Sequence, residues 1–388
     1  MGRTRHVRYY SGMGGSGIRP LMRLVVPALV AGVVFGMWAV RLALDLVPPG
    51  AAHVPTTGIV SAYSADPSPT PSWHTTTATV RAIYVTAATA KNPQKLGHLM
   101  SLIERTILNA MVIDVKGDTP YFDEQLQVAL QRIVEAGIYP IARIVIFKDN
   151  GFARENPSET LKYAGGSFWR DSSGATWLDP ASRASWAYMV HQARRAADMG
   201  FREINLDYVR FPTDGTLSAI RYPVWDGKTS KIEIIAAFFA YFNTELKKTH
   251  PNIKTSLDIF GYTFLTSSGL NIGQRMEDAV KHFDYIAPMV YPSHYSAGNF
   301  GVDNPAAHPH LVITKTLEKG FEKLPAEYPR WHIRPWLQAF NLGADYNAHM
   351  LHEQIRALKD SGITEFYLWN AYNIYDRYES ALREPREE

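Results

Sequence analysis

The chain has 388 residues, of which 46% are hydrophobic, so it can build a large core. It contains no cysteine, which excludes disulfide bonds, thiolate metal ligands and cysteine nucleophiles. Its formal net charge of +3 comes from the arginines of residues 1–23, a segment without acidic residues, while the remainder carries 35 basic and 37 acidic side chains. The body of the protein is therefore not basic, and we expect no nucleic-acid partner.

The first elements in chain order are a basic tail and an apolar run. Residues 24–40 carry no charge, and the segment continues after Arg41 to residue 47. This length suits a membrane-spanning helix, and the preceding arginines favour a cytoplasmic N-terminus. The sequence thus predicts a cytoplasmic tail over 1–23 and a transmembrane signal-anchor over 24–47, with the rest of the chain extracytoplasmic. The alternative is a cleaved signal peptide and a secreted protein.

Residues 48–78 are rich in Pro, Ser, Thr and Ala. Such a segment buries too little apolar surface to offset the entropy lost on ordering. The composition predicts a disordered linker between the membrane and a folded domain over 79–388.

After the linker, short apolar or β-branched runs alternate with amphipathic segments. Predicted strands cover residues 80–86, 110–116, 139–147, 203–211, 254–261, 285–292, 334–340 and 365–370. Predicted helices cover residues 93–106, 123–136, 183–199, 231–248, 272–282, 305–323 and 348–359. Strict alternation indicates a parallel sheet, and eight units indicate a (β/α)8 TIM barrel.

An open doubly wound sheet is the alternative fold. That fold requires a glycine-rich phosphate turn after the first strand. Residues 87–93, which follow the first predicted strand, contain no glycine. The sequence therefore favours the closed barrel.

Carboxylates lie near the ends of three predicted strands, namely Asp114, Asp207 and Asp258. Active sites of such barrels are built at the C-terminal ends of the strands. An aspartate among apolar residues is costly to bury unless it is paired or reaches water at the mouth. Paired inward carboxylates, one ionised and one protonated, are the equipment of glycoside hydrolysis. The alternative is that each aspartate pairs with a basic residue of the wall, such as Arg143 or Lys116.

Other polar and aromatic side chains at the strand ends and in the following loops are candidates for holding a sugar. Aromatic rings offer large contact areas to the C–H faces of sugars. The predicted substrate-binding residues are Lys116, Arg143, Arg210, Tyr291, His294, Trp336, Gln338, Trp369, Asn370, Trp169 and Trp177. We expect Arg143 or Arg210 to pair with a strand-end aspartate and keep it ionised. No histidine pair has the spacing of a helical metal site, so neither a metal nor a cofactor is predicted.

Several long motifs resemble a known family. They include LDYVRFP at residues 206–212, DIFG at 258–261, PMVYPSHY at 288–295 and RPWLQ at 334–338. Together with shorter matches, over roughly residues 80–375, they resemble a family of glycoside hydrolases defined from sequence. The barrel of that family is similar to the alpha-amylase-type barrel.

The resemblance to amylase-type barrels implies a nucleophile at the end of strand four and an acid/base at the end of strand five. Asp207 and Asp258 occupy these positions. The chain departs from the amylase pattern by having Asp258 in place of a glutamate. It also has Gln338 where a third carboxylate would lie on strand seven. Asp114 is the candidate replacement for that carboxylate.

The sequence predicts a membrane-anchored, extracytoplasmic glycoside hydrolase acting on a polysaccharide or oligosaccharide. We assign Asp207 as the nucleophile or ion-stabilising carboxylate, because nearby Arg210 should favour its charged form. Asp258 is assigned as the general acid, since its apolar neighbours should favour the protonated form. The alternatives are a weakly catalytic or non-catalytic barrel that binds cell-wall glycan and a deacetylase-like metal enzyme, for which histidine ligands are missing.

Overall fold

The computed structural model describes residues 79–383. Eight parallel strands close into a barrel in sequential order, with the last strand paired to the first. They are β1 (Arg81–Val85), β2 (Ala110–Lys116), β3 (Tyr139–Val145), β4 (Glu203–Asp207), β5 (Lys254–Phe260), β6 (Tyr285–Met289), β7 (Trp336–Gln338) and β8 (Phe366–Trp369). The predicted (β/α)8 barrel is confirmed.

Helices lie between the strands and cover the outside of the barrel. Those of the described residues are α1 (Ala87–Ala90), α2 (Pro93–Glu104), α3 (Glu124–Glu135), α4 (Asn150–Glu155), α5 (Arg183–Met199), α6 (Lys231–Lys247), α7 (Met276–Ala279), α8 (Pro309–Phe321), α9 (Ala348–Asp360) and α10 (Glu379–Leu382). None of these helices is long and apolar enough to cross a bilayer. The predicted tail, signal-anchor and linker lie outside the described residues.

The long helices begin at side-chain caps that the sequence supplies. Ser230 forms a capping box with Glu233 at the start of α6, and Ser182 caps α5. Such caps satisfy backbone N–H groups that have no partner within the helix. Gly200 ends α5 with φ of 115°, a backbone conformation that L side chains rarely adopt.

Side chains alternate across the barrel wall, as expected for strands with a period of two. Ile204 and Leu206 of β4 belong to the apolar core between the barrel and its helices. Glu203 and Asn205, which alternate with these two residues, instead form hydrogen bonds with side chains from other parts of the barrel interior. The interior is therefore partly polar, and its polar residues are ordered by the strand register.

Several predicted boundaries differ from the structure, and two of these differences come from irregular backbone next to the strand ends. The fourth strand ends at Asp207 rather than at residue 211, because Tyr208 adopts φ of 58° and turns the chain out of the sheet. Of the predicted helix over 272–282, only Met276–Ala279 is helical. Positive φ angles at Leu270 and Gly273 indicate an irregular turn before it.

Candidate active site

Arg143 stands at the centre of a group of carboxylates inside the C-terminal end of the barrel. Its Nη1 lies 2.6 Å from Asp114 Oδ1, its Nη2 pairs with Asp207 Oδ2, and its Nε lies 3.9 Å from Asp258 Oδ2. The register explains this convergence, because Asp114 neighbours Arg143 across β2 and β3, and Val145 neighbours Asp207 across β3 and β4. We call Arg143 and these three aspartates the mouth cluster. The expected pairing of an arginine with a strand-end aspartate is confirmed for Arg143.

Burial and neighbouring charges shift the pKa of Arg143 in opposite directions, since its side chain is only 5% exposed. Burial alone would lower its pKa, but the carboxylates of Asp114 and Asp207 raise the pKa well above its ordinary value. The guanidinium therefore stays charged and holds the carboxylates of Asp114 and Asp207 together, with Asp258 beside them.

Asp258 differs from the other two aspartates of the mouth cluster. Burial raises its pKa well above the ordinary value, and the charge of Asp207 raises it further. Asn205 Nδ2 and Trp336 Nε1 donate hydrogen bonds of 2.8 and 2.7 Å to Asp258 Oδ1, which only partly offsets this effect. Oδ1 accepts both of these hydrogen bonds, whereas Oδ2 is the oxygen that faces Arg143.

The partners of Asp207 and Asp114 orient their carboxylates. Asp207 Oδ1 accepts a 2.6 Å hydrogen bond from the backbone N–H of Tyr208, in the turn that ends β4. Tyr84 donates its hydroxyl proton to Asp114 Oδ2 over 2.5 Å. With Arg143 on their other oxygens, both carboxylates are held at both ends.

Access to solvent also separates the three aspartates. The side chains of Asp114 and Asp207 are 14% and 12% exposed, whereas that of Asp258 is 2% exposed. Asp207 Oδ2 and Asp258 Oδ2 contact one small guanidinium fork, so they lie closer than the separation of about 9.5 Å that bounds inverting glycosidases. The two carboxyl groups therefore lie within the upper limit of separation for a pair of glycosidase carboxylates.

Aromatic rings form the wall of the mouth on the side of β7, β8 and β1. Trp369 stacks on Tyr84 with 4.0 Å between ring centroids, and it meets Trp336 edge to face at 5.6 Å. The Arg143 guanidinium lies 5.2 Å from the Trp369 ring centroid. The predicted site residues Trp336 and Trp369 thus lie beside the mouth cluster.

Tyr291 and His294 follow β6 and pack together edge to face at 5.1 Å. Burial raises the pKa of Tyr291 well above its ordinary value, and the charges of Asp258 and Asp207 add to the shift. Tyr291 therefore keeps its proton near the mouth cluster. Burial lowers the pKa of His294 to about 4, so this ring is neutral near pH 7.

The interpretation of Lys116 as a substrate-binding residue is wrong. A bulge between Asp114 and Lys116 interrupts the alternation of β2. The Lys116 side chain is fully buried, pairs with Asp149 Oδ2 at 2.8 Å and donates to Val145 O. Its role is to hold the beginning of α4 against the barrel.

The interpretation of Arg210 is also wrong, because the chain has left the sheet before this residue. Its guanidinium lies over the rings of Trp177, Tyr208 and Phe260, at 4.9–5.2 Å from their centroids. It donates to Phe211 O and Thr213 Oγ1, and no carboxylate of residues 79–383 forms an ion pair with it. Arg143, not Arg210, supplies the positive charge next to Asp207.

Trp169 and Trp177 are not exposed sugar platforms, since both side chains are completely buried. Trp169 Nε1 donates to Thr216 O, and Trp177 Nε1 donates to Asp171 Oδ2. These tryptophans form the core of the long loop after β3. Hydrogen bonding of both indoles fixes them inside the loop.

Gln338 and Asn370 bond to the backbone of loops at the mouth. Gln338 Nε2 donates to Phe340 O, and its Oε1 accepts from the backbone N–H of Ser293. Asn370 Nδ2 donates to Ala339 O at 2.6 Å. Both side chains were predicted to contact substrate. In the structure they bond to the loops that surround the site and hold them in position.

The sequence prediction missed three residues that contact or surround the cluster, namely Tyr84, Asn205 and Phe340. Phe340 meets the Tyr291 ring edge to face at 5.6 Å. Alternation could have found the first two, because Tyr84 is two residues from inward Ala82 and Asn205 is two residues from Asp207. Among residues 79–383, no three or more His, Asp or Glu side chains are placed to hold a metal ion.

Several solved structures are similar to this chain. A hypothetical protein from Ruminiclostridium thermocellum is 31% identical over 45% of this chain and 96% of its own, with a TM-score of 0.41. Alpha-L-fucosidase isoenzyme 2 from Paenibacillus thiaminolyticus is 12% identical over 79% of this chain and 48% of its own, with a TM-score of 0.52. Alpha-galactosidase AgaB from Geobacillus stearothermophilus is 11% identical over 78% of this chain and 40% of its own, with a TM-score of 0.50.

This chain spans less than half the length of those two glycosidases, and at such identities the similarity shows the barrel fold alone. No curated protein matches the chain. The family described as "putative glycosyl hydrolase domain" matches residues 82–375, a range that includes the whole mouth cluster and its aromatic wall. The resemblance noted in the sequence is thereby confirmed, and the chain belongs to this family of glycosyl hydrolase domains.

Proposed function

We propose that this protein is a membrane-anchored, extracytoplasmic glycoside hydrolase that cleaves a polysaccharide through Asp207 and Asp258. One observation carries the proposal: two aspartates share one guanidinium but have different environments. Asp207 pairs directly with Arg143 and is 12% exposed, whereas Asp258 is almost fully buried with a strongly raised pKa. A division into an anion and a protonated acid is what glycoside hydrolysis requires.

In the proposed reaction, Asp207 either attacks the anomeric carbon or stabilises an oxocarbenium ion there. The bond to the leaving oxygen breaks, its electron pair goes to that oxygen, and Asp258 Oδ2 delivers the proton. A water molecule from solvent then adds to the anomeric carbon and returns a proton to Asp258, which releases the sugar and restores both carboxyl groups. Arg143 keeps Asp207 oriented through Nη2 and holds Asp114 through Nη1. Asp114, bound by Tyr84, is placed to accept hydrogen bonds from sugar hydroxyl groups.

The test is hydrolysis by the full-length protein of a panel of soluble polysaccharides and para-nitrophenyl glycosides. The wild type should release sugar from at least one of them, and Asp207→Asn should not. The matched control is Asp198→Asn, an exposed aspartate that pairs with His250 and precedes β4, at the opposite end of the barrel. Equal turnover by wild type and Asp207→Asn would contradict the assignment.

A glycan-binding barrel without turnover is the second candidate function. The observation that favours it is the burial of Asp258, whose side chain is only 2% exposed and whose Oδ1 is occupied by two donors. Contact between its Oδ2 and a leaving oxygen then requires movement of neighbouring side chains. Retention of the wild type on a polysaccharide that it does not cleave would support this candidate.

The location is proposed from the basic tail over 1–23 and the uncharged run over 24–40. Positive charge on the cytoplasmic side and a hydrocarbon-length segment together favour a signal-anchor. A phosphatase fused after residue 388 should be active outside the cytoplasm and sediment with membranes. Deleting residues 1–47 should release the folded domain into the soluble fraction. An active fusion that is shed into the medium from the full chain would favour the cleaved alternative.

A further inference from the structure

Two large apolar side chains are unusually exposed at the rim of the mouth. Tyr372 is 60% exposed and Ile374 is 56% exposed, the two highest values among large hydrophobic residues of 79–383. Both lie in the loop that follows β8, immediately after Trp369. A single exposed apolar side chain is normal on a protein surface. Two in one loop next to an aromatic wall form a patch that is a candidate ligand-binding surface.

Asn370 fixes the conformation of this loop. Its Oδ1 accepts from the backbone N–H of Tyr372 at 2.9 Å, and its Nδ2 donates to Ile374 O at 3.0 Å and Ala339 O at 2.6 Å. The loop is therefore closed on itself and attached to the end of β7. The two exposed side chains project from a backbone that is already ordered.

Asn373 ties the same loop to β1. It adopts φ of 57°, donates to Tyr84 O at 3.0 Å and accepts from the backbone N–H of Thr86 at 3.0 Å. The hydroxyl of Tyr375 donates to Tyr84 O at 2.7 Å. Tyr84 is the residue that stacks on Trp369, so the loop and the aromatic wall share one support.

Tyr372 and Ile374 follow Trp369, a residue of the aromatic wall, closely along the chain. Only two residues separate Trp369 from Tyr372, and such a segment spans at most about 10 Å between Cα atoms. The wall begins at the mouth cluster, where the Trp336 indole donates to Asp258. The loop that carries Tyr372 thus begins at the aromatic wall, next to the carboxylates.

We propose that Tyr372, with Ile374 beside it, is an outer sugar-binding platform, and that the substrate chain runs from the carboxylates across Trp369 to this rim. The inference rests on the proposed glycan substrate. In this inference the sugar on Tyr372 is a different unit from the one at the carboxylates, so the platform serves a chain of several units. Because the loop is rigid, stacking a sugar on it loses little conformational entropy.

The experiment compares full-length wild type, Tyr372→Ala and Tyr372→Trp in native gels containing starch, dextran, xylan, laminarin or glycol chitosan. Trp331→Ala is the matched control, because Trp331 is 38% exposed but precedes β7, at the opposite end of the barrel. At least one polymer should retard the wild type. Tyr372→Ala should weaken that binding about three- to tenfold, and Tyr372→Trp should restore it.

Hydrolysis assays distinguish failure of this inference from failure of the proposed function. Where the wild type is active, the loss in kcat/KM for Tyr372→Ala should be larger on the polymer than on the para-nitrophenyl monoglycoside of the same sugar. The difference should appear in KM. Retardation without hydrolysis would reject the hydrolase and support the platform. Unchanged polymer binding by Tyr372→Ala, or no retardation of the wild type by any polymer, would overturn the platform.

Discussion

The barrel interior contains two buried arginine–carboxylate clusters, one at each end of the strands. The mouth cluster consists of Arg143 with Asp114, Asp207 and Asp258. The floor cluster consists of Arg334, Glu203, Glu365 and Tyr367, in which Arg334 Nη1 lies 2.9 Å from Glu203 Oε2 and Nε lies 2.8 Å from Glu365 Oε2. The Tyr367 hydroxyl donates to Glu203 Oε1 at 2.7 Å.

The two clusters resemble each other electrostatically but differ in how far their side chains are exposed to solvent. Burial raises the pKa of Glu365 in the floor cluster and of Asp258 in the mouth cluster. The side chains of Arg334 and Glu203 are completely buried, however, while two aspartates of the mouth cluster reach solvent. A shifted pKa therefore does not by itself locate an active site; access to a ligand and an excess of carboxylates distinguish the mouth.

The sharpest test of this difference is Asp207→Asn. The amide preserves the size of the side chain but cannot act as a nucleophile or stabilise a cation. We expect kcat/KM to fall by at least about a thousandfold, with a thermal midpoint close to that of the wild type. Full-length protein should be assayed on the best substrate of the panel. A variant that keeps wild-type turnover would remove the mouth cluster from the mechanism.

Substitution in the floor cluster should instead lower the stability of the protein. Arg334→Met leaves Glu203 and Glu365 buried without a cation, so we expect the free energy of unfolding to fall by about 3–5 kcal/mol. Urea denaturation provides the measurement. Arg143→Met is the comparison, and it should destabilise less because Asp114 and Asp207 reach water. Equal destabilisation by the two substitutions would show that access does not distinguish the clusters.

Asp258→Asn tests the division of labour within the mouth. Removal of a general acid should lower kcat/KM by about 10²-fold or more on glycosides with poor leaving groups, which need protonation. Activated aryl glycosides should lose much less. Asp114→Asn serves as the control, since loss of a hydroxyl acceptor should affect both substrate types alike. The roles of Asp207 and Asp258 would be reversed if Asp207→Asn, rather than Asp258→Asn, were spared on activated substrates.

The smallest expected effect is on the pH dependence of stability. The pKa of Asp258 is raised in the folded state, so the folded protein binds this proton more tightly than the unfolded chain does. Its contribution to stability is fully present below the unfolded pKa of about 3.9 and is lost as pH rises through the folded pKa. The difference in unfolding free energy between wild type and Asp258→Asn should therefore change over that window. A pH-independent difference would contradict the raised pKa.

Much of this architecture followed from the sequence because it depends on local periodicity. Alternation of strands and helices was enough to predict eight strands, and parallel strands place their C-terminal ends together. The convergence of Asp114, Asp207 and Asp258 was predicted from their positions in the strands, whereas the sequence left open whether Arg143 or Arg210 would pair with them. The function that these residues perform stays a prediction until the variants are assayed.

Tertiary structure decided which other polar and aromatic residues face the mouth. The bulge after Asp114 turned Lys116 away, and the left-handed backbone of Tyr208 removed Arg210 from the sheet. Trp169 and Trp177 looked like exposed rings, but the fold of their loop buries them. Direction of a side chain depends on single backbone torsions and on long-range packing, and neither is encoded in the spacing of residue types.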